Sequence, residues 1–300
     1  MDFTVKHVAS FSEVLRDSRF LRAVTCGPRN EILILTLELN GRYAISELVG
    51  DQWQMRLSLE SDEAFQFVQP MPDGNFLLVD SRLTKIDTRD PDVAYHPGKY
   101  FDNAHVFDRS GKKLYGFMAG DGIGHVQTTV NGEIWIAFFD EGVFGDPSRT
   151  GGLAAAGLVC LNAQGKVLFR YSEQIAESNG IPTIDDCYAL NVMDQDEVWL
   201  CYYGDFPVVS LSNKTLTKAW IDFPRRAAKA FAVCGETLLM VSAYRGPRWL
   251  YVDLNSRVLT DTPIVDETGS PIDVELCFAR GNTIYFGAKD CGLYAATLPK

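Results

Sequence analysis

The sequence is poor in the residues and motifs from which common catalytic and metal sites are built. It has only four histidines among 300 residues, and its seven cysteines include no pair in C-x-x-C spacing. Zinc-type and redox-type cysteine sites are therefore not predicted. The patterns G-x-S-x-G, H-E-x-x-H, the P-loop and the EF-hand loop are also missing. Serine hydrolases, zinc proteases, P-loop nucleotidases and EF-hand proteins thus find no support.

Long apolar runs and an excess of positive charge are missing as well. The longest apolar candidate, Ile32 to Leu37, is strand-sized, whereas a bilayer span needs about 18 residues. The formal net charge of −11 argues against a phosphate-backbone partner. The first residues, MDFTVKHVASF, do not form a signal-peptide pattern, and cysteines such as Cys160 lie inside apolar strand patterns. We therefore expect a cytoplasmic protein that binds neither nucleic acid nor membrane.

What the sequence does contain is one repeated pattern, an apolar strand followed by a polar turn and a second strand of β-branched and aromatic residues. It recurs as CGPRNEILIL, MPDGNFLLV, TVNGEIWIA, MDQDEVWLC, VCGETLLMV and ARGNTIYFG. The first apolar residues after the turns are Ile32, Phe76, Ile134, Val198, Leu238 and Ile284, separated by 44, 58, 64, 40 and 46 positions. A repeat of roughly 40–50 residues is typical of a four-stranded propeller blade. The two longer units carry loops at Asp87 to Tyr100 and Asp140 to Gly157.

A second hairpin follows in the units, as in GLVCLNAQGKVLFRY, which gives four strands per unit. The last unit is one strand short, and we expect the alternating segment Phe3 to Val8 to pair there as its outer strand. The prediction is an all-β fold, a six-bladed β-propeller with four-stranded antiparallel blades, in one domain over residues 1–300. A β-sandwich is the rival fold, but it does not predict a six-fold repeat. Short helices are predicted at Ser12 to Phe20 and Glu173 to Ser178.

The phrases PDGNFLLVD, NGEIWIAFFDEG and HVFDRSGKKL resemble six-bladed propellers of the NHL and SMP-30/gluconolactonase kind over almost the whole chain. Gluconolactonase-like propellers hold a divalent cation at the channel mouth through Glu, Asn and Asp, and this cation polarises a lactone or activates water. The match to that ligand set is incomplete. Their first-blade E-G-P phrase is RAVTCGP here, and Lys229 would repel a cation. Asp185 or Asp186 and Asp273 remain as candidate ligands for Ca²⁺, Mg²⁺ or Mn²⁺.

Two sets of residues should meet at one face of such a ring: those that begin the inner strands and those that end the second strands. The inner-strand set comprises His125 and its equivalents Gln66, Tyr188, Lys229 and Glu275, with Arg22 or Ala23 in the first unit. The second set comprises Glu38, Asp80 with Arg82, Asp140 with Glu141, Asp205, Tyr244 with Arg245, and Lys289 with Asp290. A buried polar group without a partner costs about 1–3 kcal/mol, which favours a wet channel mouth. An exposed strand edge and a solvated rim stay open as alternatives.

The sequence therefore predicts a non-catalytic propeller whose acidic, polar channel-mouth face binds a small polar ligand or another protein, without a cofactor. The candidate ligand-binding residues are His125, Asp140, Glu141, Tyr188, Asp205, Lys229, Arg245, Glu275 and Asp290. The alternative is a lactonase-type hydrolase with a divalent cation at the same mouth. The glycine-rich segment Gly142 to Gly157 is either a binding loop or an insertion. The sequence specifies neither the ligand nor the oligomeric state.

Overall fold

The computed structural model describes residues 5–16, 19–83, 102–145, 152–221, 228–242, 248–266 and 268–299. Within these ranges the strands form six four-stranded antiparallel sheets, which are the blades of a β-propeller. The predicted fold class is confirmed. The loop predicted at Asp87 to Tyr100 lies outside the described residues.

The strands follow the same order in each of the first five blades, from the innermost strand outward. Blade 1 contains β2 Arg19–Cys26, β3 Ile32–Glu38, β4 Arg42–Val49 and β5 Gln52–Glu60. Blade 2 contains β6 Phe67–Pro70, β7 Phe76–Val79, β8 Ala104–Phe107 and β9 Lys113–Phe117. Blade 3 contains β10 Ile123–Thr128, β11 Ile134–Phe138, β12 Leu158–Leu161 and β13 Val167–Arg170. Blade 4 contains β14 Asp186–Val192, β15 Glu197–Tyr203, β16 Val208–Ser212 and β17 Thr215–Trp220. Blade 5 contains β18 Ala228–Cys234, β19 Thr237–Ser242, β20 Arg248–Asp253 and β21 Val258–Pro263.

Blade 6 is closed by the beginning of the chain. Its inner strands are β22 Val274–Arg280, β23 Thr283–Ala288 and β24 Gly292–Thr297, and its outer strand is β1 Val5–Ser10. β1 pairs antiparallel with β24, so that Val5 lies opposite Ala296. The predicted closure is confirmed, and it removes the open edge that β24 would otherwise present.

The hydrophobic core consists of apolar layers between neighbouring blades. The second strand of each blade is buried on both faces, as in IWIAF of β11, where all five residues are buried. One cluster joins blades 2 and 3, and others join blades 1 and 2, 3 and 4, 4 and 5, 5 and 6, and 6 and 1. A strand buried on both faces needs a continuous apolar run and not an alternating one, which explains the sequence pattern after each turn.

The hairpins between first and second strands all lie at one end of the ring, here called the bottom face. In blade 3 the turn at Asn131 and Gly132 has Gly132 at φ 82°, and the Gly132 N–H donates to the Thr129 carbonyl at 3.0 Å. A positive φ at this position favours glycine. The inner strands begin, and the second strands end, at the opposite end, here called the top face.

Helical structure in the described ranges is confined to short turns. The helix predicted at Ser12 to Phe20 is wrong, because only Phe11–Glu13 forms a 3₁₀ turn and β2 already begins at Arg19. The prediction at Glu173 to Ser178 is confirmed by a π-turn at Ser172–Ala176 and by α2 at Glu177–Asn179. The other turns are α1 Asp140–Val143 and a 3₁₀ turn at Ala154–Ala156. No helix in the described part is long and apolar enough to cross a membrane.

Candidate functional site

Five inner strands carry a β-bulge near their top end, and the bulged residues are Arg22, Gly124, Tyr188, Lys229 and Glu275. Gln66 has the same register in blade 2, where its N–H donates to the Val79 carbonyl at 2.9 Å. A bulge inserts one residue against the partner strand and redirects its side chain. The predicted alignment is therefore correct for Arg22, Gln66, Tyr188, Lys229 and Glu275. It is wrong by one residue in blade 3, where Gly124 occupies this register and His125 follows it.

Below these bulges lies a cavity of about 400 Å³, here called the channel cavity. Its wall is formed by β2, β6, β10 and β22, from blades 1, 2, 3 and 6. The polar side chains in the wall are those of Arg22, Thr25, Gln66, Gln69, His125 and Gln127. Leu276, Cys277 and Phe278 supply an apolar side. Among the eight candidate residues that the structure describes, His125 is the one found in this wall.

Gln69 closes part of the cavity floor by joining three blades. Its Nε2 donates to the Thr25 hydroxyl at 2.5 Å, and its Oε1 accepts from the Thr128 backbone N–H and hydroxyl, each at 3.2 Å. The single hydroxyl proton of Thr128 is shared between Gln69 Oε1 and the Pro70 carbonyl, which lies at 2.9 Å. Gln69 is 1% exposed, so that its amide is committed to the protein and not to a ligand.

The rest of the floor is closed by amides that reach blade 6. Gln127 donates to the carbonyls of Leu190 at 3.2 Å and Ala279 at 3.0 Å. Asn191 donates to the Phe231 and Gly281 carbonyls at 2.9 and 2.8 Å, and it accepts from the Gly281 N–H at 2.8 Å. These bonds join blade 6 to blades 3 and 4, and they join blade 4 to blade 5. The amides therefore cross the bottom end of the channel.

His125 is fixed by the neighbouring blade. Its Nε2 lies 3.1 Å from the Tyr188 carbonyl. Because a carbonyl can only accept, Nε2 carries the proton, and Nδ1 of the neutral ring is an acceptor. Burial lowers the pKa of His125, and the backbone carbonyls of Tyr188 and Cys187 oppose this shift. The neutral form of the ring is therefore favoured, and His125 is among the residues that line the cavity.

The two acids of blade 3, Glu141 and Asp140, have different charged neighbours. Glu141 accepts from Arg82 at 2.5 Å, and Arg82 also contacts Asp121 at 3.2 Å. Burial raises the pKa of Asp186, and the charge of Asp140 raises it further. Asp140 and Asp186 are thus close enough to repel, at the boundary of blades 3 and 4.

In blade 6 the candidate acids serve local structure. Asp290 accepts from the Gly292 N–H and the Tyr294 hydroxyl, both at 2.8 Å, and so holds the turn between β23 and β24. Lys289 forms an ion pair with Asp273, and the charge of Glu275 also raises the pKa of Lys289. Glu275 and Lys229 are exposed. None of these carboxylates is among the residues that line the channel cavity.

An aromatic cluster stands at the blade 4 side of the mouth. Tyr188 stacks on Phe206 with ring centroids 5.9 Å apart and an interplanar angle of 13°, and Tyr203 meets Phe206 edge-on at 5.5 Å. The loop that carries Phe206 is strained, because Asp205 and Phe206 have φ of 78° and 52°. Such strain costs about 1–3 kcal/mol per residue and is concentrated at functional sites.

Sequence reasoning missed the floor amides and placed some candidates beyond the described structure. Gln127 and Asn191 lie inside strand patterns, and an amide at the same register of several apolar strands is the signal that points to them. Arg245, Tyr244 and His96 fall outside the described residues. In the part that is described, no three His, Cys, Asp or Glu side chains are grouped so as to hold a metal ion.

Comparisons with known proteins concern the fold. The model of the YxzG family matches residues 158–296, which is less than half of the chain. Comparison with curated protein sequences gives no match. A catalytically inactive variant of virginiamycin B lyase from Staphylococcus aureus, solved with quinupristin, is 14% identical with a TM-score of 0.51, covering 99% of this chain and 100% of that chain. A streptogramin B lyase structure is 9% identical with a TM-score of 0.52, covering 99% and 98%. At such identities the likeness establishes the six-bladed propeller fold and no residue's role.

Proposed function

We propose that the protein binds a small polar organic molecule in the channel cavity, and we assign no reaction to it. The observation that carries the proposal is the channel cavity of about 400 Å³, which has polar groups in its wall. Ligand pockets usually measure about 300–1,000 Å³ and combine apolar walls with a few placed polar groups. The apolar side at Leu276 and Phe278 and the polar side at Arg22 and His125 meet that description.

The wall chemistry favours a ligand with an acceptor group such as a carboxylate. Arg22 is held at the mouth by its Nε, which donates to the Phe65 carbonyl at 3.2 Å. Gln66 is held by its Oε1, which accepts from the Ser81 N–H at 2.7 Å, so that its Nε2 is a donor. Guanidinium and amide donors on neighbouring blades suit a carboxylate or carbonyl. The rings of Tyr188 and Phe206 supply a flat apolar surface beside the mouth.

This proposal modifies the acidic face expected from the sequence. The rim carboxylates of Glu141, Asp273 and Asp290 already have protein partners. The contacts in the cavity come instead from Arg22, Gln66 and His125. The remaining candidates, Asp140, Asp205, Lys229, Arg245 and Glu275, stay predicted rim contacts for a ligand or a protein partner.

The test is a screen of small organic acids by thermal shift and ligand-observed NMR. We expect hits that bind the wild-type protein and the surface variant Arg56→Met but lose binding in Arg22→Met. A second variant, Ala23→Trp, fills the cavity from β2 and should abolish the same hits. Identical binding profiles for the wild type and Ala23→Trp would show that ligands do not enter the channel cavity.

The metal-dependent hydrolase stays a prediction that an independent experiment addresses. Asp140 and Asp186 are the pair of acids at the mouth that a cation would relieve of mutual repulsion. Elemental analysis of the purified protein, and melting with and without a chelator, test this alternative. A stoichiometric divalent metal would favour the hydrolase over simple ligand binding.

A further inference from the structure

A second cavity, of about 340 Å³, lies far from the channel, between blades 4 and 5 near the bottom face. It is here called the wedge pocket. Its wall is one face of blade 4, where Glu197 lies opposite Ser212 and Trp199 lies opposite Ser210. Thr217 enters it from a bulge between β16 and β17, and Glu236 closes it from blade 5. Polar side chains on a face between blades cannot pack like the apolar core, which leaves this space open.

Blade 3 shows what fills the same position in the neighbouring wedge. Glu133 and Trp135 have the register of Glu197 and Trp199, because the Glu133 carbonyl accepts from the Thr129 N–H and the Glu197 carbonyl accepts from the Met193 N–H, just beyond the paired ends of the inner strands. In that wedge the ammonium of Lys214 donates to both oxygens of Glu133 at 2.8 Å. The same ammonium lies 5.8 Å from the centre of the Trp135 ring. An alkylammonium group is therefore the natural occupant of this glutamate–tryptophan arrangement.

The wedge pocket keeps the glutamate and the tryptophan but receives no lysine from blade 5. Lys214 comes from the two-residue turn between β16 and β17. The corresponding turn of blade 5 joins Asp253 to Val258 and is two residues longer. Its last residue is Arg257, with φ of 57° where Lys214 has φ of 60°, and Arg257 is not among the residues that line the wedge pocket. Glu197 forms no ion pair within the described ranges, and its Oε1 accepts instead from the indole Nε1 of Trp199 at 2.6 Å.

The hydrogen-bonding groups of the wedge pocket are mostly acceptors. The Thr217 hydroxyl donates its one proton to the Ser210 carbonyl at 2.8 Å. The Ser210 hydroxyl must therefore be the donor in its 2.7 Å bond to Thr217, and its own lone pairs stay free to accept. Lys218 pairs with Oε1 of Glu236. Oε2 of Glu236 is buried and has no hydrogen-bond partner among the described residues. With Glu197 and Glu236 against Lys218, the formal charge of the pocket is −1.

We propose that the wedge pocket binds a primary alkylammonium group of a small amine, held between Glu197 and Glu236. An ammonium supplies three donors and one positive charge, which match the surplus acceptors and the negative charge. An ammonium bound there, between blades 4 and 5, would make the kind of contact that Lys214 makes with Glu133 and Trp135 between blades 3 and 4. This site is independent of the channel cavity and of the function proposed for it.

The probe is n-butylamine, which has the length of a lysine side chain, and the reporter is the Trp199 indole N–H resonance in ¹H–¹⁵N spectra, assigned with Trp199→Phe. Titration should shift this resonance in a saturable way, with a Kd on the order of millimolar for so small a ligand. n-Butanol, a neutral analogue, and butyltrimethylammonium, which keeps the charge but has no N–H donor, should leave the resonance unshifted. Glu197→Gln and Glu236→Gln should each weaken binding about tenfold or more, since each loses a charge-assisted bond.

Glu133→Gln is the matched control, because it changes the same motif in the wedge that Lys214 already occupies, and it should leave the titration unchanged. Exposed Glu177→Gln serves the same purpose should the first control lose its fold. A titration without saturation up to about 100 mM, far above the expected Kd, would overturn the proposal. Equal binding of n-butanol, or unchanged binding in Glu197→Gln, would also overturn it.

Discussion

Replacement of Asn191 by leucine tests whether the amide floor holds the ring together. Asn191 is 0% exposed, and its side chain makes three hydrogen bonds, two of them to Gly281 in blade 6. Leucine has the same branching at Cγ but can neither donate nor accept. The Gly281 carbonyl keeps a second donor, the Val233 N–H at 3.0 Å, whereas the Gly281 N–H loses its acceptor.

The expected loss of stability follows from these bonds. An unpartnered buried N–H costs about 1–3 kcal/mol, and each further lost bond contributes about 0.5–1.5 kcal/mol. Asn191→Leu should therefore lower the free energy of unfolding by about 2–6 kcal/mol, a large fraction of the roughly 5–15 kcal/mol of a typical domain. Urea unfolding followed by tryptophan fluorescence measures this, and exposed Asn255→Leu is the matched control. A loss below about 1 kcal/mol, or equal to that of the control, would refute the role of the floor.

Three further changes test other parts of the structure. Gly122→Ala should lower the free energy of unfolding by more than about 2 kcal/mol, because Gly122 has φ of 71° and a Cβ would lie 2.5 Å from Gly142 in α1. The measurement is calorimetry, and the control is Gly180→Ala, which has φ of 62° but open space around it. Lys214→Met should cost about 1–3 kcal/mol in urea unfolding by leaving half-buried Glu133 without its partner, and an unchanged midpoint would contradict that ion pair. Burial, and secondarily Lys113, lower the pKa of His105. The unfolded state therefore takes up protons first, and the stability falls as the pH drops below about 6.5. His105→Phe should flatten the plot of melting temperature against pH between about 7 and 5, and an unaltered profile would mean that His105 does not titrate there.

The blade architecture was predictable because the residues that specify it are local. Turns such as Asn131-Gly132 and the apolar runs behind them identify the second strands, and the unpaired length of the last unit identifies the closing strand. The position of His125 was not predictable to the residue, because a β-bulge adds a residue without a sequence signature of its own. The predicted rim acids share this limit. Whether Glu141 meets a ligand or Arg82 depends on a contact between blades 2 and 3 that no local pattern encodes.

The floor amides show a second reason why the site was harder to predict than the fold. Gln127 and Asn191 join the blades because they bond to Ala279 and Gly281 of blade 6, which lie more than 85 positions away in the sequence. The simplest interpretation of an isolated polar residue in an apolar strand is that it lies at an exposed edge. Amides at one register in blades 2, 3 and 4 change that interpretation. Because these three groups lie near the channel axis, each can form hydrogen bonds with groups of other blades.

The blades differ in the residues at the bulge register. Positions in the second strands are exchangeable between blades, since Leu78, Ile136 and Leu200 all meet the same demand for buried apolar volume. The bulge register is different, because it presents Arg22, Gln66, Gly124, Tyr188, Lys229 and Glu275 in turn. These six unlike groups have no rotational symmetry, so that a ligand bound as proposed would meet a different group in each blade. The same logic applies to the wedges, where the glutamate–tryptophan pair is filled by Lys214 in one and left open in the next. A repeat protein thus supplies its own control for each proposed site, since the equivalent position in a neighbouring blade shows the same backbone with other chemistry.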